Sequence, residues 1–117
     1  MTKRNLTIRL QADFKTGLRA AARKASKTTY QGEDLTFETP GAFFAHLTER
    51  RWDLIRAMQG QGVLSIREIA RRVERDVKRV HEDVTALIGL GLLERSEHGV
   101  ACPFARIHVD LELAAAA

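Results

Sequence analysis

Between positions 65 and 93, SIREIARRVERDVKRVHEDVTALIGLGLL, apolar residues fall twice into the three-to-four spacing of a helix with one buried side. Ile66, Ile69, Ala70 and Val73 make the first set. Ser65 and Glu68 before and within it form a capping box, the Ser hydroxyl accepting from the Glu68 N–H while the carboxylate reaches back to the Ser65 N–H. Leu64 and Ile69 stand where a hydrophobic staple closes such a start. A helix is therefore predicted from Ser65 to about Val73. Asp76 caps a second one, in which Val77, Val80, Val84 and Leu87 recur until Gly89 and Gly91 end it. Lys78, Arg79, His81, Glu82 and Thr85 fall outside the apolar stripe. Small Ala70 suits a close crossing, and the gap from Val73 to Asp76 suits the short turn of a helix-turn-helix.

The pattern changes on either side. Residues 5–10 alternate Leu6, Ile8 and Leu10 with polar neighbours, as a half-buried strand does. Over 12–27 the period is helical, with Phe14, Leu18, Ala21 and Ala25 on one side and Lys15, Arg19, Arg23 and Lys27 on another. Residues 28–34 read as a loop, and DLTFET as a second strand with Leu35 and Phe37 on one face. Pro40 suits a first helical position, and Ala42, Phe43, Phe44 and Leu47 supply a short apolar helix. Thr48 caps ERRWDLIRAMQ, whose Trp52, Leu54, Ile55 and Met58 are expected in the core, and the glycines of GQGVL end it. After Gly91, LLERSEHGVACP predicts a β-hairpin turning at His98 and Gly99, interrupted by Pro103. RIHVDLEL then sets Ile107, Val109, Leu111 and Leu113 against Arg106, His108, Asp110 and Glu112. This last strand has two places open to it: beside residues 6–10, or on a partner chain.

These elements add up to an α+β protein. Residues 1–39 form a small strand-helix-strand element, 40–113 a winged helix-turn-helix domain with the hairpin as its wing, and 114–117 a tail. A two-stranded appendage hardly buries its own edge, so pairing with a second copy, as a homodimer, is expected.

Composition narrows the class. At 117 residues, with 44% hydrophobic and 29% charged, the chain suits one ordinary domain and is too small for a large multi-layer enzyme. No apolar run nears the roughly 20 residues that span a bilayer, and the basic start is not followed by an apolar signal region, so the cytoplasm is the expected compartment. Cys102 has no second cysteine, which rules out an internal disulfide and a Cys-x-x-Cys zinc site; it is read as a small buried apolar residue. Net charge is +4, but residues 1–28 hold eight Lys and Arg against Asp13 alone. The remainder is net acidic. The basic stripe over 15–27 is either a solvated helix face or a contact for DNA phosphates or an acidic partner.

The stretch IREIARRVERDVKRVHEDVTALIGLGLLER resembles the winged helix-turn-helix of MarR-like and ArsR-like regulators, with their leucine, glycine, leucine passage from recognition helix to wing. Taken over roughly residues 35–113, the chain resembles a group of small prokaryotic DNA-binding regulators. The resemblance implies a dimeric, cytoplasmic repressor or autoregulator that binds double-stranded DNA and needs no cofactor. Some members of the group are encoded beside toxin-like genes. The alternative is therefore a protein-interaction module, such as an antitoxin that neutralises a partner toxin. Glu74 departs from the pattern, standing in the turn where the family usually has glycine. Glu82 departs from it too, and either accepts from a cytosine amino group or pairs with Arg79 or Lys78, the ion pair being favoured.

A DNA reader needs phosphate contacts for affinity and base contacts for choice. Ser65, Arg67, Arg71 and Lys78, near the starts of the two helices, are the candidates for phosphates. Arg79, His81 and Glu82, with Thr85 peripheral, are those for bases, and Arg95 and His98 on the wing reach a minor groove or a phosphate. Against this stands a plainer role for Arg67, Arg71, Arg72 and Arg75: solvating a helix surface among Glu68, Glu74 and Asp76. No triad spacing, glycine-rich phosphate loop or metal-ligand spacing points to catalysis.

Overall fold

Four short polar side chains set the helix starts. In the computed structural model, whose described residues are 4–10, 30, 32–113 and 115, Thr39 accepts from the Ala42 N–H at 3.1 Å and Thr48 from the Arg51 N–H at 3.4 Å. They open α1 (Pro40–His46) and α2 (Glu49–Met58). Ser65 accepts from the Glu68 N–H at 3.1 Å, and Asp76 from the N–H groups of Lys78 and Arg79 at 3.1 and 3.3 Å. These open α3 (Ile66–Val73) and α4 (Val77–Leu90). Each side chain satisfies backbone donors that a helix start leaves unpaired. Only half of the expected capping box forms, because the Glu68 carboxylate turns to Arg71 and Arg72 instead of the Ser65 N–H. The helix expected over 12–27 lies outside the described residues.

The apolar stripes of α2, α3 and α4 meet in one core. Leu54, Ile55, Met58, Ile69, Val80, Val84 and Leu87 are fully buried there, with Leu64 and Ala70 beside them. Burying one Leu or Val side chain is worth about 1.5–3 kcal/mol, so this cluster dominates the stability of the helical part. In α1, Phe43 and Leu47 face inward but Phe44 is 60% exposed. One residue on from Phe43 is about 100° round a helix, and seven residues cover only one buried side. Trp52 is half-buried, its ring 6.4 Å from that of Phe43.

Between α3 and α4 the chain turns at Glu74, which takes the left-handed conformation at φ 54°, ψ 49°. Its N–H reaches the Arg71 carbonyl at 3.3 Å and that of Arg75 the Ala70 carbonyl at 3.1 Å, which pairs the last carbonyls of α3. A non-glycine residue thus holds the left-handed position, at a steric cost to the glutamate Cβ. At the far end of α4, Gly91 closes the helix in the same conformation, and Leu92 and Leu93 turn straight into the core.

From there run β3 (Glu94–Ser96) and β4 (Gly99–Ala101), an antiparallel hairpin in which Ser96 faces Gly99. The turn is therefore at Glu97 and His98, one residue earlier than expected. Gly99 belongs to the strand, and a Cβ on it would overlap the Leu64 carbonyl oxygen and stand 2.9 Å from the carbonyl carbon. This close approach lets Leu64 and Val100 exchange two backbone hydrogen bonds, at 2.8 and 2.9 Å. The start of α3 and the hairpin are thereby held together.

Three more strands form a parallel sheet in the order β2-β1-β5, with β1 (Arg4–Leu10) between β2 (Glu33–Phe37) and β5 (Phe104–Asp110). The expected two-stranded appendage thus gains a third strand from the end of its own chain, which removes the argument that an unburied pair of strands demands a second copy. The last strand takes the first of its two open places. It also starts earlier and ends sooner than RIHVDLEL suggests. A bulge opposite Arg4 and Asn5 adds Ala105 to β5, so Phe104 and Ile107 both turn to the packed face. Among the described residues, the pairing of β5 with β1 ends at Arg9 with Asp110.

Arg4 binds the sheet to the hairpin. Its guanidinium meets Glu33 at 2.7 and 2.9 Å and Glu94 at 3.0 and 3.1 Å, and lies 5.2 Å from the Phe104 ring centre. Arg9 spans the sheet from Asp34 to Asp110, both at 3.3 Å. Two of the eight bases in residues 1–28 therefore already serve carboxylates within the fold.

Two substitutions test the turns. Gly99→Ala should lower stability by about 1–3 kcal/mol, since the new methyl must displace the Leu64 carbonyl. Glu74→Gly should raise it by up to about 1 kcal/mol, the relief of the left-handed Cβ exceeding the added freedom of the unfolded chain. Urea unfolding of each variant reads both signs.

Candidate functional site

Helical geometry alone separates the two sides of α4. With about 100° per residue, Lys78, His81, Glu82 and Thr85 fall within roughly a third of the circumference, Arg79 flanks them, and Val80, Val84 and Leu87 lie opposite. The structure has all five exposed and the three apolar residues buried. No described carboxylate pairs with Lys78 or Arg79, and Glu82 pairs with neither of them. The favoured ion pair for Glu82 is thus absent, and its carboxylate faces solvent as an acceptor. Thr85 donates its hydroxyl to the His81 carbonyl at 2.8 Å, which leaves the oxygen lone pairs outward and the proton engaged.

The proposed phosphate-binding set divides. Arg67 on α3 is exposed with no ion pair among the described residues, and Lys78 stands at the start of α4 in the same condition. Arg71 is exposed but chelated by both Glu68 oxygens, and Arg72 shares that carboxylate while reaching Gln61 at 2.9 Å. The two arginines hold the Glu68 carboxyl well below the usual carboxylate range. Ser65 has its oxygen committed to the cap. Arg95 on β3 and His98 in the hairpin turn are exposed. The Leu64 to Val100 bridge carries that hairpin beside the start of α3.

One cluster escaped the sequence reading. Asp83 is largely buried and accepts from Arg51 Nε at 3.1 Å and from an Arg75 Nη at 2.8 Å. Arg51 also donates to the His46 carbonyl at 2.8 Å. Arg75 is consequently no surface solvator: it sits in the turn between α3 and α4 and ties that turn to α4 and α2. Its Nε and Nη1 are buried without an acceptor among the described residues. Burial pushes the Asp83 carboxyl up, but the hydrogen bonds from Arg75 and Arg51 outweigh it and bring the pKa below the ordinary value. The signal was present in the sequence, since Asp83 is three residues after Val80 and four before Leu87, on the margin of the buried stripe.

Cys102 is buried, and that burial raises its thiol pKa, as befits a small apolar side chain. Among the described residues, no three of His, Cys, Asp or Glu come together to hold a metal ion. No described helix is long and apolar enough to cross a membrane.

An α+β chain with two helices joined by a tight turn, then a hairpin and a strand, is the class that these elements define. Residues 46–109 match the HVO_A0114 family, more than half of the chain, and the protein belongs to that family. The match runs from the last residue of α1 into β5, so it contains the α4 face, the Asp83 cluster and the hairpin. No curated protein and no solved structure matches the chain.

Removing the Asp83 charge leaves two arginines facing each other. Asp83→Asn should cost about 1.5–3 kcal/mol in urea unfolding at neutral pH, the range for hydrogen bonds to charged groups. Because the folded pKa is below the unfolded one, the charge contributes fully above about pH 4, the unfolded value, and the contribution fades as pH falls through the folded value. The gap between parent and variant should therefore close in acid.

Proposed function

We propose that the protein is a sequence-specific DNA-binding transcriptional regulator, a repressor or autoregulator, acting as a homodimer through a winged helix-turn-helix. The observation that carries this reading is the solvent-facing side of α4: Lys78, Arg79, His81, Glu82 and Thr85 gathered on one exposed face, with both cations free of ion pairs. An α-helix fits the major groove, and a helix that presents polar side chains on a rigid, fully packed back is suited to reading base edges. Arg79 offers the donor fork that matches guanine, Glu82 an unpaired acceptor for a cytosine amino group, and His81 and Thr85 smaller contacts. Lys78 and Arg67 take phosphates, with Arg71 contributing only as it leaves Glu68. The hairpin, with Arg95 on its first strand and His98 at its tip, serves as the wing. The resemblance to MarR-like and ArsR-like regulators points the same way. Two reading helices in one dimer would stand about 34 Å apart, in successive major grooves of a pseudo-palindromic site.

A second reading keeps the same surface for a protein. Val77 is 44% exposed at the head of α4, and the face beside it carries Glu82 as well as bases, so a partner protein such as a toxin is the competing occupant.

Selection of bound duplexes from a genomic library, followed by titration at several salt concentrations, tests the first reading. Affinity should fall steeply with salt. Arg79→Ala should cost about 1–3 kcal/mol and relax choice at one base position, whereas Lys78→Ala should weaken all sequences alike and reduce the salt slope by about 1. No duplex binding at low salt, or binding unchanged in the double variant, would set the reading aside in favour of the protein partner.

A further inference from the structure

The parallel sheet ends on β5, whose outer edge has no neighbour among the described strands. From Arg106 to Glu112 that edge reads Arg, Ile, His, Val, Asp, Leu, Glu. The order of charges is its own complement when read backwards. Laid antiparallel on a second copy about Val109, Arg106 meets the partner's Glu112, His108 meets the partner's Asp110, Ile107 meets the partner's Leu111, and Val109 meets its own counterpart.

We propose that β5 is a homodimerisation edge, joining two copies antiparallel about Val109 into one six-stranded sheet. Three further observations support it. Val109, Leu111 and Leu113 are 37%, 44% and 84% exposed, an apolar alternation that outlasts the strand's pairing with β1. A partner strand would supply the missing ladder to residues 111–113 and cover this row. Next, Leu6 lies opposite Ile107 and Ile8 opposite Val109, so the apolar face of the sheet reaches the open edge without a polar break. Finally, Arg106, His108 and Glu112 are exposed without ion pairs among the described residues, and Asp110, though it accepts from Arg9, remains about half exposed.

Register is specified by the same residues. Moving the centre to His108 or to Asp110 sets two histidines or two aspartates against each other at the two-fold axis, and a centre between residues sets apolar side chains against charged ones. Only pairing about Val109 leaves opposite charges on one face and apolar pairs on the other, with directly opposed Cβ atoms about 5 Å apart. An edge strand left uncovered and alternating in this way is otherwise a liability for uncontrolled pairing.

Sedimentation equilibrium without DNA tests the edge, so its outcome is independent of the DNA reading. The parent chain should be dimeric. Arg106→Glu places two acids opposite each other in each half of the interface and should raise the dissociation constant about tenfold; Glu112→Arg should do the same with two bases. Arg106→Glu combined with Glu112→Arg restores both pairs and should restore the dimer. Mixing the two single variants should give the heterodimer in preference to either homodimer. Both side chains are exposed, and matching circular dichroism and melting of the monomers would show that the fold is kept. A parent chain that is monomeric at every attainable concentration overturns the proposal, as does a dimer indifferent to the single variants or not recovered in the double one.

Discussion

Two hydrogen bonds between Leu64 and Val100 decide where the parts of this protein stand. Leu64 immediately precedes the Ser65 cap, so the bridge holds the start of α3 against the hairpin. It closes only because Gly99 has no side chain. The buried leucines that follow Gly91 then bring the end of α4 to the same hairpin. Helix start, helix end and hairpin are therefore referenced to one backbone contact. Whatever α4 presents to a partner is presented at an angle this contact fixes.

Charge acts differently in the two halves of the structure. Where arginines sit against carboxylates, at Arg4 with Glu33 and Glu94 and at Asp83 with Arg51 and Arg75, they lock elements together across long stretches of chain. On the exposed side of α4 the cations are left open. The near-neutral total of that helix concealed the division. Once Asp83 is withdrawn into the packing, the outward face is more basic than the sequence sum suggests, while Arg4 and Arg9 are less available than theirs does.

The helices were legible because their information is local. A cap and a buried stripe lie within one or two turns, and Ser65, Asp76, Val80 and Leu87 carry both. The hairpin was legible to within one residue for the same reason; its turn was misplaced because Gly99 is needed by Leu64, a residue 35 positions away in sequence, and not by the turn itself. The sheet was harder. Alternation marked Leu6 to Leu10 and Ile107 to Val109 as strands, but no local pattern names a strand's neighbour, and the bulge at Ala105 shifts faces in a way alternation does not announce. In the candidate site, exposure of Arg79, His81 and Glu82 followed from spacing. Their freedom from ion pairs, and the engagement of Arg71 by Glu68, depended on rotamers that spacing leaves open.

The parallel pairing of β1 with β5 has a kinetic consequence. The hydrogen bond of Arg9 with Asp110 joins residues 101 apart in sequence, whereas Arg51 with Asp83 joins residues 32 apart and Arg75 with Asp83 residues 8 apart. Long-range strand pairing must bear the entropy of closing the intervening chain before its contacts form, and it is the slow kind of contact. By that criterion the sheet is expected to form after the helical contacts. Until β1 takes its place, β5 is open along both edges, so the time between those two events is when a nascent chain is most exposed to pairing with the wrong strand.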